Sequence, residues 1–228
     1  MSAVAVLAPV LRRPERAQQL ADSLRAVSPL STLIFLCSPD DHDEVAACDA
    51  TGSFVEVVEW PPGRADWARK INHGYEIARA LGCEWMLLGS DDIRFHRDWD
   101  VEAVAVGRQT GACVVGTNDL HNPTVKRGAH STHPVVHRDY IECGTIDQAG
   151  LVVCESYWHN WVDTELCETA QYRGTWAFAE RAHVEHLHPF WAGGEGDDDV
   201  YRIGREHYHD DQRMFIERRK LWDQRGAP

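Results

Sequence analysis

Apolar runs and amphipathic stretches alternate along the first half of the chain. "AVAVLAP" (3–9) is apolar throughout, is short, and is followed by arginine-rich polar sequence, so it predicts a buried strand. A helix follows, opened by Pro14, whose missing N–H is no loss at the first helical position. Leu20, Leu24 and Val27 share one face of it. "STLIFLC" (31–37) predicts a second strand running into the acidic loop "SPDDHDE", and "FVEVVEW" (54–60) a third with alternating apolar and acidic positions. After the breaker "PPGR", Trp67, Ile71, Tyr75, Ala78 and Leu81 form one stripe of a helix near 65–82. "EWMLLG" is a fourth strand and "ACVVGT" (112–117) a fifth. Continuous apolar strands alternating with helices predict an α/β fold with a mostly parallel sheet covered on both faces.

The second half is less regular. A long loop, "NDLHNPTVKRGAHSTH", leads into the short apolar stretch "PVVHRDYI". "WVDTELCETAQYRG" (161–174) predicts a helix with Gly174 as its stop. Two short strands, "TWAFAE" and "AHVEHLHPF", are expected next. The tail opens with "AGGEGDDD", where Gly193, Gly194 and Gly196 supply a hinge, and ends in a charged helix around 204–223.

Composition narrows the function. The formal net charge of −13 disfavours a broad phosphate-binding surface for nucleic acid and suits an acidic, metal-binding cleft. Seven cysteines are scattered singly with no C-x-x-C spacing, which indicates neither a disulfide framework nor a structural zinc site. Thirteen histidines and nine tryptophans are many for this length, and offer metal ligands and flat stacking surfaces. No segment is long and apolar enough to span a bilayer, and the arginines of the N-terminus follow its apolar run, unlike those of a signal peptide. A cytoplasmic protein is the expectation.

Ligands of such sheets bind beyond the carboxyl ends of the strands. That rim carries Pro9, Asp40, Asp41, Asp91 and Asp92. In Ser90-Asp91-Asp92, one carboxylate can bind a divalent cation while its neighbour holds a ribose hydroxyl. A turn or helix cap is the plainer use of such residues, but the position after a buried strand favours the ligand role. His186 and His188 share one face of an extended segment, and either can complete a metal shell, with His188 preferred. A mixed carboxylate–imidazole shell suits Mn²⁺ at least as well as Mg²⁺. Asp163 and Glu165 stand near a helix N-terminus, where the dipole favours acids for structural reasons alone. The functional alternative makes Asp163 a general base. Arg64, Arg69 and Lys70, preceding Asn72, are candidates to steady a diphosphate. Asp40 and Asp41 either accept from a nucleobase N–H or cap the next helix. His130, His133 and His137 fit no pattern that points to a second metal site.

In this order, the pieces resemble the inverting nucleotide-sugar glycosyltransferases of GT-A fold, the large family-2-like group, over residues 3–190. The resemblance rests on "APVLRRPER" after the first strand, "SPDD", "KINHGYEIA", "LLGSDDIRF" in the place of the D-x-D motif, "DTEL" and "HLH". It implies a GT-A domain over 1–192, with a nucleotide-binding half (1–117) and an acceptor and metal half (118–192), then a hinge and helix over 193–228. It implies Asp92 as metal ligand with His188 or His186, Asp91 on ribose or in the metal shell, and Asp40 or Asp41 at the base. Pro9, Lys70 and Asn72 fall in the donor pocket, and Asp163 is the general base, with Glu165 the alternative. The donor implied is a UDP-sugar held with Mn²⁺ or Mg²⁺. The acceptor is a hydroxyl of a glycan, small molecule, protein or modified nucleobase. Ser90 departs from the motif, standing where many relatives carry a third acid. A sugar-phosphate nucleotidyltransferase is the runner-up, although "LAPVLRRPER" lacks its glycine-rich loop. A non-catalytic nucleotide-sugar or glycan-binding protein is the third reading.

Overall fold

The computed structural model describes residues 4–190 and 199–225. Its strands are β1 (Val4–Pro9), β2 (Thr32–Cys37), β3 (Phe54–Val57), β4 (Trp85–Leu88), β5 (Ile93–Phe95), β6 (Val114–Asn118), β7 (Val135–His137) and β8 (Trp176–His186). The helices are α1 (Pro14–Val27), α2 (His42–Ala50), α3 (Asp66–Ala80), α4 (Trp99–Thr110), α5 (Pro123–Lys126), α6 (Tyr140–Cys143), α7 (Val162–Tyr172), α8 (Asp199–Glu206) and α9 (Tyr208–Arg225). The strands form one sheet in the order β3-β2-β1-β4-β7-β6-β8-β5. It is mostly parallel: β1–β2, β1–β4, β2–β3 and β6–β8 run parallel, whereas β4–β7, β6–β7 and β5–β8 are antiparallel.

The lack of alternation in the central strands has a direct cause. Side chains of a strand point alternately to its two faces, and here both faces are covered. Val4, Val6 and Ala8 of β1 pack with Leu20 and Leu24 of α1 and Trp99 and Ala103 of α4. Ala5 and Leu7 pack on the other face with Ile71 and Tyr75 of α3 and with the cluster that includes Leu166 of α7 and Phe215 and Trp222 of α9.

Several elements differ from the pattern expected. The acidic loop after β2 winds into α2, which buries only Glu44 and Cys48 and so shows almost no apolar stripe. The two short strands "TWAFAE" and "AHVEHLHPF" are one strand, β8, whose pairing with β6 passes through a register shift between Gly116 and Asn118. The tail holds two helices where one was expected, and the hinge residues Gly193, Gly194 and Gly196 lie outside the described residues. Among the described residues no helix is long and apolar enough to cross a membrane.

The tail helix α9 orders the start of α7. Asp211, 1% exposed, accepts from the backbone N–H of Trp158, His159 and Asn160 at 2.7–2.9 Å. Those amides lead into Trp161, the left-handed residue (φ 67°) that begins α7. The Trp161 ring stacks on Phe215 with centroids 5.1 Å apart.

Candidate metal and donor site

At the mouth of β4 the backbone comes very close to β1. Gly89 N–H donates to Leu7 O at 2.9 Å, and a Cβ at Gly89 would also lie 2.9 Å from that oxygen. The indole N–H of Trp67, on α3, donates to Gly89 O at 3.2 Å. Only glycine fits this approach, and it sets Ser90, Asp91 and Asp92 on the carboxyl rim. Both aspartates are buried, at 7% and 4% exposed.

Strand register brings two histidines to Asp92. In the antiparallel β4–β7 pair Leu87 faces Val135 and Leu88 N–H bonds to Pro134 O, so His133 arrives beside Gly89. In the β5–β8 pair Ile93 faces His186, and Leu187 N–H bonds to Asp92 O at 2.8 Å. One side-chain ligand atom each of Asp92, His133 and His186 lie within 4.8 Å of one another, and all three residues are buried. His186 Nε2 is 3.3 Å from Asp92 Oδ2, while Asp92 Oδ1 accepts from the Ser90 hydroxyl.

The details fit a divalent cation. His133 bonds through Nδ1 to Leu88 O at 3.1 Å, and its buried Nε2 has no protein partner. A metal-binding imidazole usually donates its other N–H to a carbonyl or carboxylate in this way. Burial and the charge of His186 lower His133 to about 4, so its lone pair is available at neutral pH. Burial opposes ionisation of Asp92, but His186 outweighs it and holds the carboxyl well below its usual range. His186 is lowered by burial and raised more strongly by Asp92, and it stays above its ordinary value. Burial and the charge of Asp92 push Asp91 up to about 7, against the pull of Arg13 at 3.0 Å and Arg16 at 3.6 Å. His188 stands outside the three-residue cluster. Its Nδ1 accepts from Phe190 N–H at 3.1 Å, and its ring meets that of His186 at 5.3 Å.

The other sequence candidates occupy varied settings. Asp163 pairs with His130 at 3.3 Å and is near enough to His133 and His186 to act on both electrostatically. Glu165 points elsewhere, accepting from Tyr157 at 2.6 Å and from Arg218 at 2.7 and 2.9 Å. Lys70 is fully buried, donates to Val10 O and Ser38 Oγ, and pairs with Asp66 at 2.8 Å, so it ties the loops beyond β1 and β2 to α3. Asn72 clamps the 152–155 loop, accepting from the N–H of Val152 and Val153 and donating to Val153 O and Glu155. Pro9 closes β1, Asp41 accepts from Arg12 N–H at 2.6 Å, and Asp40 is exposed beside it.

The His130–Asp163 pair gives stability a pH signature. Burial alone lowers His130, but Asp163 outweighs it and pushes the imidazole up to about 11; the same pairing holds Asp163 below its usual value. A raised folded pKa stabilises fully below the unfolded value of about 6.5 and fades as pH climbs through the folded one. The lowered Asp163 adds stability above about pH 4, which is lost as pH falls through its folded value. The stability lost in His130→Ala is therefore expected to peak at about pH 5–6 and shrink steadily toward about pH 11. Urea titrations of both proteins across that range check it, and a loss that grows with pH contradicts it.

No known family profile matches the sequence, and no curated protein matches it. Solved structures do. TarS 1–349 from S. aureus matches with a TM-score of 0.59 at 12% identity, over 81% of this chain and 60% of that one. The mannosyltransferase PcManGT from Pyrobaculum calidifontis, in complex with GDP-Man and Mn²⁺, gives 0.61 at 13% identity, over 81% and 56%. Glucosyl-3-phosphoglycerate synthase from Mycobacterium tuberculosis, in complex with Mn²⁺, UDP and phosphoglyceric acid, gives 0.55 at 16%, over 89% and 74%. The fold is GT-A. The chain spans 60% of the TarS structure and 56% of the mannosyltransferase, so the GT-A core is shared and much of their length is not.

On this GT-A sheet, His133, Arg13 and Arg16 are among the rim contributors that sequence reasoning missed. His133 carried no signal, because only the β4–β7 register brings it in. Arg13 and Arg16 did carry one: they are three residues apart at the start of α1, which follows a rim strand, and so share a helix face.

Proposed function

We propose that the chain is a metal-dependent, inverting glycosyltransferase, moving a sugar from a nucleotide-diphosphate donor to an acceptor hydroxyl. The observation that carries this reading is the buried Asp92–His133–His186 cluster at the carboxyl rim of a GT-A sheet. Those three side chains would hold Mn²⁺. When bound, the cation offsets the charge that develops on the leaving diphosphate. Asp91, next to Asp92 in the chain, would accept from a ribose hydroxyl. Asp163 takes the acceptor proton as the acceptor oxygen attacks the anomeric carbon, and the bond to the diphosphate oxygen breaks on the opposite face. The preference for a UDP-sugar rests on the family resemblance and on the UDP of the glucosyl-3-phosphoglycerate synthase complex; GDP-Man in the mannosyltransferase makes GDP-sugars the first comparison.

Thermal unfolding with UDP-, GDP-, TDP- and CMP-sugars, each with and without Mn²⁺, tests the donor site, since specific binding raises the midpoint. A metal-dependent shift with one nucleotide class supports the reading, and no shift with any of them refutes it. Transfer from a radiolabelled donor then separates an enzyme from a non-catalytic binder. Two imidazoles in the ligand set favour Mn²⁺ over the oxygen-seeking Mg²⁺, so Mg²⁺ is expected to substitute poorly. The metal needs His186 neutral. Below the raised pKa of that residue, Mn²⁺ affinity is expected to fall about tenfold per pH unit, and to level off above it. Mn²⁺ titrations at several pH values read this slope directly.

A further inference from the structure

Tyr201, carried on α8, reaches the same rim. Its hydroxyl donates to Asp92 Oδ2 at 2.6 Å and accepts from Arg16 Nη1 at 3.3 Å. Its ring lies 4.1 Å from the Arg13 guanidinium and meets His188 at 4.6 Å. Arg13 and Arg16 are only 5% and 6% exposed, and both reach Asp91. Guanidinium groups match phosphate oxygens through paired N–H donors. Two of them beside a metal-binding carboxylate make a seat for a diphosphate that bridges protein and cation.

The phenol makes the contacts that a diphosphate oxygen and its cation would make, with a proton in place of the metal. Asp92 Oδ2 is the oxygen turned toward His186, since Oδ1 is held by Ser90. A cation that takes this oxygen must therefore displace the Tyr201 hydroxyl, which leaves with its proton. We propose that Arg13 and Arg16 anchor the donor diphosphate, and that Tyr201 is a built-in competitor, released when cation and diphosphate bind together. The support under α8 fits an exchangeable element. Gly204 is its one buried residue, and Asn160 Nδ2 donates to Gly204 O at 2.7 Å. By contrast α9 is fixed by Asp211, Phe215 and Trp222. Few buried apolar contacts mean a small local opening free energy.

The inference rests on the proposed metal site, so the test separates the two. Mn²⁺ binding is measured by electron paramagnetic resonance in the wild type, His133→Ala, Tyr201→Ala, Tyr201→Phe and Arg16→Gln, first alone and then with inorganic pyrophosphate. Both Tyr201 variants are expected to bind Mn²⁺ about tenfold more tightly than the wild type, the scale of one hydrogen bond to a charged group. Pyrophosphate is expected to tighten Mn²⁺ binding in the wild type and to give no such gain in Arg16→Gln. Tyr201→Phe keeps the ring over Arg13 and guards against a folding defect in the alanine variant. If Mn²⁺ binds the wild type and is lost in His133→Ala, but binds no more tightly in either Tyr201 variant, the competitor role is wrong and the metal site stands. An undiminished pyrophosphate gain in Arg16→Gln removes the anchoring role. Absence of Mn²⁺ binding in every protein, Tyr201 variants included, overturns both readings.

Discussion

His133→Ala will weaken Mn²⁺ binding by at least about 100-fold and abolish metal-dependent sugar transfer, while the protein stays folded. Three features of the site lead to this expectation. The imidazole is held neutral by burial, so it brings a lone pair to the cluster without a proton to remove. Its orientation is set by the bond to Leu88 O, which leaves Nε2 turned to nothing else in the protein. Its backbone is fixed independently, through the Thr117 hydroxyl bonding to His133 O at 2.7 Å, so truncating the side chain leaves the β4–β7 junction in place. The loss of packing is expected to cost about 1–2 kcal/mol, the ordinary scale for a core truncation of this kind. The rival account is a histidine that only fills the core. It predicts the same modest loss of stability but an unchanged Mn²⁺ affinity, so the affinity decides between the two accounts. Asp92→Ala is a less clean probe, because it also strips His186 of its counter-charge and Tyr201 and Ser90 of their acceptor.

The contrast between His133 and Asp92 also marks what the sequence can carry. Asp92 was legible because a buried strand that ends in acids places them at a rim without any knowledge of its partners. β1, β2, β4, α1 and α3 were legible for a similar reason: apolar runs and stripes are local signals. α2 was not, because it meets the core through Glu44 and Cys48 alone. His133 enters through the register of two strands nearly fifty positions apart (Leu87 with Val135), and no local pattern encodes that pairing. Lys70 shows another limit of local reading. On a helix it reads as a charge free to meet a diphosphate, yet Asp66, Val10 O and Ser38 surround its ammonium group and hold two loops to α3. The acids of α7 could not be told apart at all from their spacing, since both favour a helix N-terminus.

Glu165→Gln will cost about 3 kcal/mol of stability and leave transfer by the folded protein intact, whereas Asp163→Asn will lower transfer by about 10²–10⁴-fold. The two residues are two positions apart, but they face different surroundings. Glu165 is 4% exposed at its side chain and takes hydrogen bonds from Tyr157 and twice from Arg218, which in turn holds Asp147 at 2.7 Å. No position for an acceptor hydroxyl remains on the surfaces of its carboxylate that these donors cover. Its work is to join α7 to α9, and neutralising it leaves the Arg218 guanidinium half-compensated in a largely buried place. Loss of this size corresponds to a fall of roughly 10 °C in the unfolding midpoint for a domain of this length. Asp163 is a quarter exposed at its side chain, paired on one side with His130 and in electrostatic reach of the metal cluster. Ionised at neutral pH, it is ready to accept a proton. Rates must be compared per folded molecule, at a temperature well below both midpoints. If Glu165→Gln kept its midpoint but lost transfer, the base would be Glu165, and the Arg218 pair would have to open during turnover.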